Sequence, residues 1–292
     1  MIIDILFAII LLAFFLFGLA WYISNRVICL PRNFRKEDWD QYNLKADLVS
    51  FYTLDKIKII GSFIRGTKQS TIVLLHGYGR SKEQMLPQAS FLNQAGYNIL
   101  MFDFRASGES GGKYITFGHR ERRDLDGAIK YLKERNDVDV NKLGVLGFSM
   151  GGAVALMKAG DYPEIKAIVI SSTYARFKTI IWQNFRTYLK GFPFFPLGYV
   201  TLWVIKFRTG ISFLQINPIF YIRKLRKKPL FLIHGAHDKK APIENAMEIY
   251  KKAPWLEQFW FAKHADHDDL YEVTKEEYQD KVLTFFNKHL PD

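Results

Sequence analysis

The hydrophobic pattern divides the chain into two unlike parts. From Ile5 to Ile23, nineteen consecutive residues carry no charge and no strongly polar side chain. At about 1.5 Å of rise per residue, a helix of that length covers the hydrocarbon thickness of a bilayer. Trp21 and Tyr22 close the run, as residues of an interfacial aromatic belt do. Beyond roughly residue 45 the pattern changes to short apolar runs separated by longer helix-like stretches. Strands are expected at Ile57–Ile64, Ile72–His76, Asn98–Phe102, Leu143–Phe148, Ala167–Ile170, Pro229–Ile233 and Gln258–Phe261. Helices are expected at Lys82–Ala95, His119–Arg135, Met150–Ala159, Ile243–Lys252 and Lys275–His289. Several strand runs are continuously apolar, which is what a strand covered on both faces requires. The alternation predicts an α/β fold, a mostly parallel sheet with helices on both faces.

The first part reads as a transmembrane anchor over residues 1–25, followed by a juxtamembrane linker at 26–45 and a folded domain at 46–292. A cleaved signal peptide would show a basic start, a shorter apolar core and a small-residue cleavage site. Here Asp4 stands near the start, the core is too long, and Trp21-Tyr22-Ile23-Ser24 is a poor cleavage site. Arg26, Arg32, Arg35 and Lys36 follow the run, so the positive-inside rule predicts a single-pass protein with its folded domain in the cytoplasm. Cys29 is the only cysteine. An intrachain disulfide is therefore excluded, and a reducing compartment is compatible.

The chemistry begins at Gly147-Phe148-Ser149-Met150-Gly151, which matches G-x-S-x-G between an expected strand and an expected helix. Glycines on both sides of Ser149 permit a sharp strand-to-helix turn that exposes the hydroxyl. A serine hydroxyl needs a base to become a nucleophile. Of the seven histidines, His267 lies in a loop after the last expected strand and before the last helix, with His264 three residues away in reserve. His76 reads as structural, and His237 as an exposed neighbour of the acid. That acid is Asp238, in the loop after Pro229–Ile233, where it would orient the imidazole and stabilise the imidazolium. Asp266 and Asp268 rank lower because adjacent residues rarely point at one another. The oxyanion would be met by the main-chain N–H of Met150 and, from the loop after His76, that of Tyr78.

The order Ser149, Asp238, His267, together with His76-Gly77-Tyr78-Gly79, Asp103–Ser110 and Gly235…Asp238…Pro242, resembles the α/β-hydrolase superfamily over about residues 45–290. The chain looks most like the membrane-anchored esterase, thioesterase and lipase-like members, and somewhat like acylaminoacyl-peptidase catalytic domains. The resemblance implies hydrolysis of an acyl ester or thioester, lipid substrates included, through an acyl-enzyme. A peptidase or amidase of the same fold and a non-catalytic membrane scaffold are the alternatives. One departure is Asp266, which stands where the family often has glycine.

Between the strand near Ile170 and that at Pro229 lies a long connection, expected to form a helical cap over about 175–228. From Arg176 to Lys228 there are eleven Lys and Arg, no Asp or Glu, and thirteen aromatic residues; the whole chain carries +12. A basic and aromatic segment beside an anchor suits an anionic membrane surface. The apolar stretch Phe192–Ile205 contains Pro193 and Pro196 and is short for a second span. No nucleic-acid motif, metal-ligand cluster or cofactor-binding glycine motif is present in the sequence, so the expected partners are a small-molecule or lipid acyl substrate and the bilayer. Oligomeric state is not legible.

Overall fold

A computed structural model describes residues 1–32, 39–188 and 194–291. Arg35, Lys36 and Pro193 therefore lie outside the described residues. The apolar run forms one helix, α1 (Ile2–Ile28), five residues longer at its end than hydropathy alone predicts. Ser24, Asn25 and Arg26 end the apolar run but not the helix; Ser24 and Asn25 accept hydrogen bonds from Arg208 of the folded domain.

Strands β1 (Ala46–Tyr52), β2 (Lys58–Ile64), β3 (Thr71–Leu75), β4 (Asn98–Phe102), β5 (Leu143–Phe148), β6 (Ile165–Ser171), β7 (Leu230–Gly235) and β8 (Gln258–Ala262) form one sheet of order β1-β2-β4-β3-β5-β6-β7-β8. β1–β2 and β2–β4 are antiparallel, and every other pairing is parallel. β1 was not foreseen. It is an edge strand with little of its surface buried, so its sequence lacks the continuous apolar run that marked the central strands.

Helices α2 (Leu86–Gln94), α3 (Arg122–Lys133), α4 (Met150–Lys158), α7 (Glu244–Lys252) and α9 (Lys275–His289) cover the sheet. Leu125, Ile129, Val154 and Ile249 of α3, α4 and α7 pack on one face. Leu86 and Leu92 of α2 pack with Tyr278, Val282 and Phe286 of α9 on the other. Each large side chain removed from water in this way contributes about 1.5–3 kcal/mol before entropy is counted. The short α8 (Leu270–Val273) precedes α9.

The insertion after β6 forms helices α5 (Phe177–Tyr188) and α6 (Leu197–Thr209) and two 3₁₀ turns. Its buried side is a third apolar cluster in which Phe177, Ile205 and Phe213 meet Phe117, Met157 and Ile28, the last residue of α1. The cap thus packs on both the sheet domain and the end of the apolar helix.

Candidate active site

Three loops at the carboxyl ends of parallel strands converge above β5. The first is the turn from β5 into α4. Ser149 adopts φ 52° and ψ −113°, a conformation that costs a non-glycine residue on the order of 1–3 kcal/mol. The surroundings impose it. The Ser149 N–H donates to the Ser171 carbonyl at 2.8 Å, and Thr173 Oγ1 donates to the Ser149 carbonyl at 2.9 Å. The neighbouring glycines are obligatory for space: a Cβ on Gly151 would lie 2.1 Å from the Leu75 carbonyl oxygen, and one on Gly147 2.5 Å from that of Gly151.

The second loop follows β7 and carries buried Asp238. One carboxylate oxygen accepts the main-chain N–H groups of Lys240 at 2.9 Å and Ala241 at 2.7 Å. The third loop follows β8 and carries buried His267. The two loops touch: a Cβ on Gly235 would lie 2.6 Å from the Ala265 carbonyl oxygen, and His237 N–H donates to that carbonyl at 3.0 Å. Residues 29 apart in sequence are held together by this close approach.

The structure brings together the three side chains singled out from the sequence. His267 Nδ1 lies 2.7 Å from Asp238 Oδ2 and Nε2 lies 3.1 Å from Ser149 Oγ. The carboxylate can only accept, so the proton of a neutral imidazole sits on Nδ1 and the Nε2 lone pair faces the serine hydroxyl. The ring is flanked by Phe148 at a centroid distance of 5.1 Å. His264 and His237 are exposed and stand outside this arrangement. Asp268 pairs with Lys240 instead. Asp266 accepts the His267 N–H at 2.6 Å and the Lys239 N–H at 3.2 Å. Burial opposes ionisation of Asp266, but these amides outweigh it and hold its pKa below the usual range. Its carboxylate is thus a bracket for the loop backbone, which explains why a residue other than glycine fits there.

The loop after β3 faces Ser149 from the other side. Burial keeps His76 neutral, with a lowered pKa that Asp103 only partly opposes. Its Nδ1 donates to the Gly77 carbonyl at 2.7 Å, and its Nε2 accepts the Phe104 N–H at 2.9 Å. Gly77 N–H donates to Gln84 Oε1 at 2.8 Å, and the Tyr78 phenol donates to the Val27 carbonyl of α1 at 2.8 Å. The main-chain N–H of Tyr78 has no acceptor among the described residues. That of Met150 is the first of α4 and has no intrahelical acceptor.

Sequence reasoning missed several residues. Gln84 clamps the loop, and His234 lies behind the acid, its Nε2 bonded to the Ala241 carbonyl at 2.8 Å and 3.7 Å from Asp238 Oδ2. Burial holds His234 neutral, with a lowered pKa. Ile23, Arg26 and Val27 of α1 line the same cavity as Ser149 and His267. Nothing local marks them; only the fold sets them beside the serine. The cavity has a volume of about 840 Å³ and is walled mainly by Phe148, Phe177, Ile180, Leu197, Leu202, Ile205 and Phe213.

A structural neighbour with the same arrangement of elements is the Pyrococcus furiosus esterase Pf2001, which superposes with a TM-score of 0.75 at 30% identity over 90% of this chain and 98% of its own. This chain belongs to the α/β-hydrolase superfamily. It is a serine hydrolase of that superfamily, and residues 66–195 match the family described as serine aminopeptidase, S33. Among sequence relatives of this hydrolase are the uncharacterised YqkD of Bacillus subtilis, 26% identical over 75% of this chain and 71% of its own length. The uncharacterised YfhR of Escherichia coli K12 is also 26% identical, over 83% and 82%.

Proposed function

We propose that this hydrolase is a membrane-anchored carboxylic ester hydrolase that cleaves acyl esters or thioesters, with Ser149 as nucleophile, His267 as base and Asp238 as the orienting acid. Ser149 Oγ attacks the acyl carbonyl as Nε2 of His267 takes its proton. The N–H groups of Tyr78 and Met150 meet the oxyanion. The imidazolium then protonates the leaving alkoxide or thiolate, and a water activated by the same nitrogen releases the acid. Asp238 stays ionised and stabilises the imidazolium.

The observation that carries the ester reading is the character of the cavity. Its walls are apolar and aromatic, as an acyl chain requires, and its charged members are Arg26, Arg80, Lys240 and Asp268. Asp268 is already paired with Lys240. An aminopeptidase must hold a substrate ammonium with carboxylates, and this cavity offers the opposite sign. A membrane anchor is supported by α1, long and apolar enough to cross a bilayer. It is further supported by the burial of Ala20, Ser24 and Ile28 against the folded domain, since cleavage there would strip a docked part of the fold. A cytoplasmic domain rests on Arg26 and Arg32 after the span.

Labelling with a fluorophosphonate, followed by an acyl-chain-length series of p-nitrophenyl esters, tests the proposal. Wild type labels, Ser149→Ala does not, and kcat/KM rises with chain length as the cavity fills. A labelled enzyme that turns over aminoacyl amides and ignores acyl esters would replace esterase by peptidase.

A further inference from the structure

α6 is apolar on two opposite faces, and among the described residues protein covers only one of them. Leu197, Thr201, Leu202 and Ile205 face the acyl cavity. Phe195 just before the helix and then Tyr199, Trp203 and Phe207 recur every fourth residue and are 71%, 51%, 58% and 71% exposed. The rings of Trp203 and Phe207 stack at 5.8 Å. An exposed aromatic stripe of this size marks a contact surface.

What covers it follows from the neighbouring helix. α1 and α6 pack side by side, and Arg208 at the end of α6 fastens them. Its guanidinium donates to Ser24 Oγ and Asn25 Oδ1 of α1, both at 2.6 Å, and lies 4.6 Å from the Trp21 ring centroid. α1 runs unbroken from these contacts into its apolar first half, where every residue from Met1 to Phe15 is exposed. A bilayer that receives the first part of α1 therefore has its surface beside α6, which is fastened at Trp21, Ser24 and Asn25. The cap contains no acidic residue that would repel an anionic leaflet.

We propose that the aromatic face of α6 is seated in the bilayer beside α1, and that the substrate is a membrane-resident acyl ester whose chain passes from the lipid, past α6 and the end of α1, into the cavity at Ser149. This rests on the ester-hydrolase reading for its chemistry, but the seating of α6 is independent of it. The cavity is walled by both helices, with Ile23 and Val27 from α1 and Leu202 and Ile205 from α6, so an acyl chain leaving the membrane at their seam meets these four apolar side chains on its way in.

The test uses the full chain in phosphatidylcholine nanodiscs. Trp203 and Phe207 are exposed, so the double variant Trp203→Gln/Phe207→Gln keeps the fold. Its hydrolysis of a long-chain ester dissolved in the bilayer is expected to fall about tenfold as the helix lifts from the lipid. Hydrolysis of water-soluble p-nitrophenyl acetate and fluorophosphonate labelling stay at the wild-type level. In parallel, dibrominated phosphatidylcholine is expected to quench the part of the tryptophan emission that is lost in Trp203→Phe. Equal rates on the bilayer ester, or a Trp203 emission untouched by the brominated lipid, overturn the proposal. Loss of acetate hydrolysis and labelling in wild type itself would instead overturn the ester-hydrolase reading, while the quenching result would still decide the seating of α6.

Discussion

Asp238 and His267 are joined through one carboxylate oxygen, 2.7 Å from Nδ1, while the other oxygen is taken by two main-chain N–H groups. The two ends of the carboxylate therefore have different duties. In Asp238→Asn the amides of Lys240 and Ala241 require an acceptor, so the carboxamide oxygen stays with them and its NH₂ faces His267. Nδ1 must then accept, the ring proton moves to Nε2, and the nitrogen facing Ser149 can no longer take a proton. We expect kcat on a soluble acyl ester to fall about 10³–10⁴-fold with little change in KM. A loss under tenfold in steady-state kinetics would show that the carboxylate does not set the tautomer.

The strained serine makes a second, opposite prediction. Ser149→Gly and Ser149→Ala are both expected to abolish hydrolysis, but glycine accepts φ 52° without penalty. Ser149→Gly should exceed Ser149→Ala in unfolding free energy by about 1 kcal/mol. Urea denaturation of the two inactive variants in one detergent measures the difference directly. Equal stabilities would mean that the turn stores no strain.

His119 gives the chain a sensitivity to mild acid. Burial, then the charges of Arg122, Arg120 and Arg123, pushes its pKa down to about 4. A folded-state pKa below the unfolded one means that the unfolded chain binds the proton first. Stability is then complete above about pH 6.5 and is lost as pH falls toward 4. At pH 5 the effect is at most about 2 kcal/mol, and about half that once partial solvent exposure is allowed for. His119→Gln should therefore lose less stability than wild type between pH 7.5 and 5, as read from thermal melts. An identical pH dependence would count against the assignment.

Arg208 joins α6 to α1 through Ser24 and Asn25. Arg208→Leu removes both bonds and leaves their partly buried acceptors unpaired, at a cost of about 1–3 kcal/mol. Amide hydrogen exchange over residues 20–28 is expected to speed up at least about tenfold, while exchange in β3 to β7 is unaltered. Uniform acceleration throughout the chain would indicate general unfolding rather than release of the helix.

Much of the sheet was legible because its central strands are buried on both faces and must be written as continuous apolar runs. β4 and β5 occupy the predicted residues, and β3, β6, β7 and β8 differ only at their ends. β1 escaped notice because an edge strand buries little and carries Asp47 and Ser50 toward solvent. The cap was legible as an insertion of unusual composition, but not as two helices with distinct faces.

The sequence by itself determined the order and kind of the elements, the turn at Ser149 and the loops that carry Asp238 and His267. These follow from local chemistry: glycines that permit a sharp turn, runs that must be buried, and breaks that must be loops. Only the tertiary structure decided that His267 rather than His264 meets Ser149, that Asp266 holds loop amides, and that α1 walls the cavity. Such facts depend on distances between residues remote in the chain, Ser149 and His267 being 118 apart, and no local pattern encodes them. Arg208 makes the same point: its charge is visible in the sequence, but its attachment to the end of α1 exists only because the sheet carries the cap to that place.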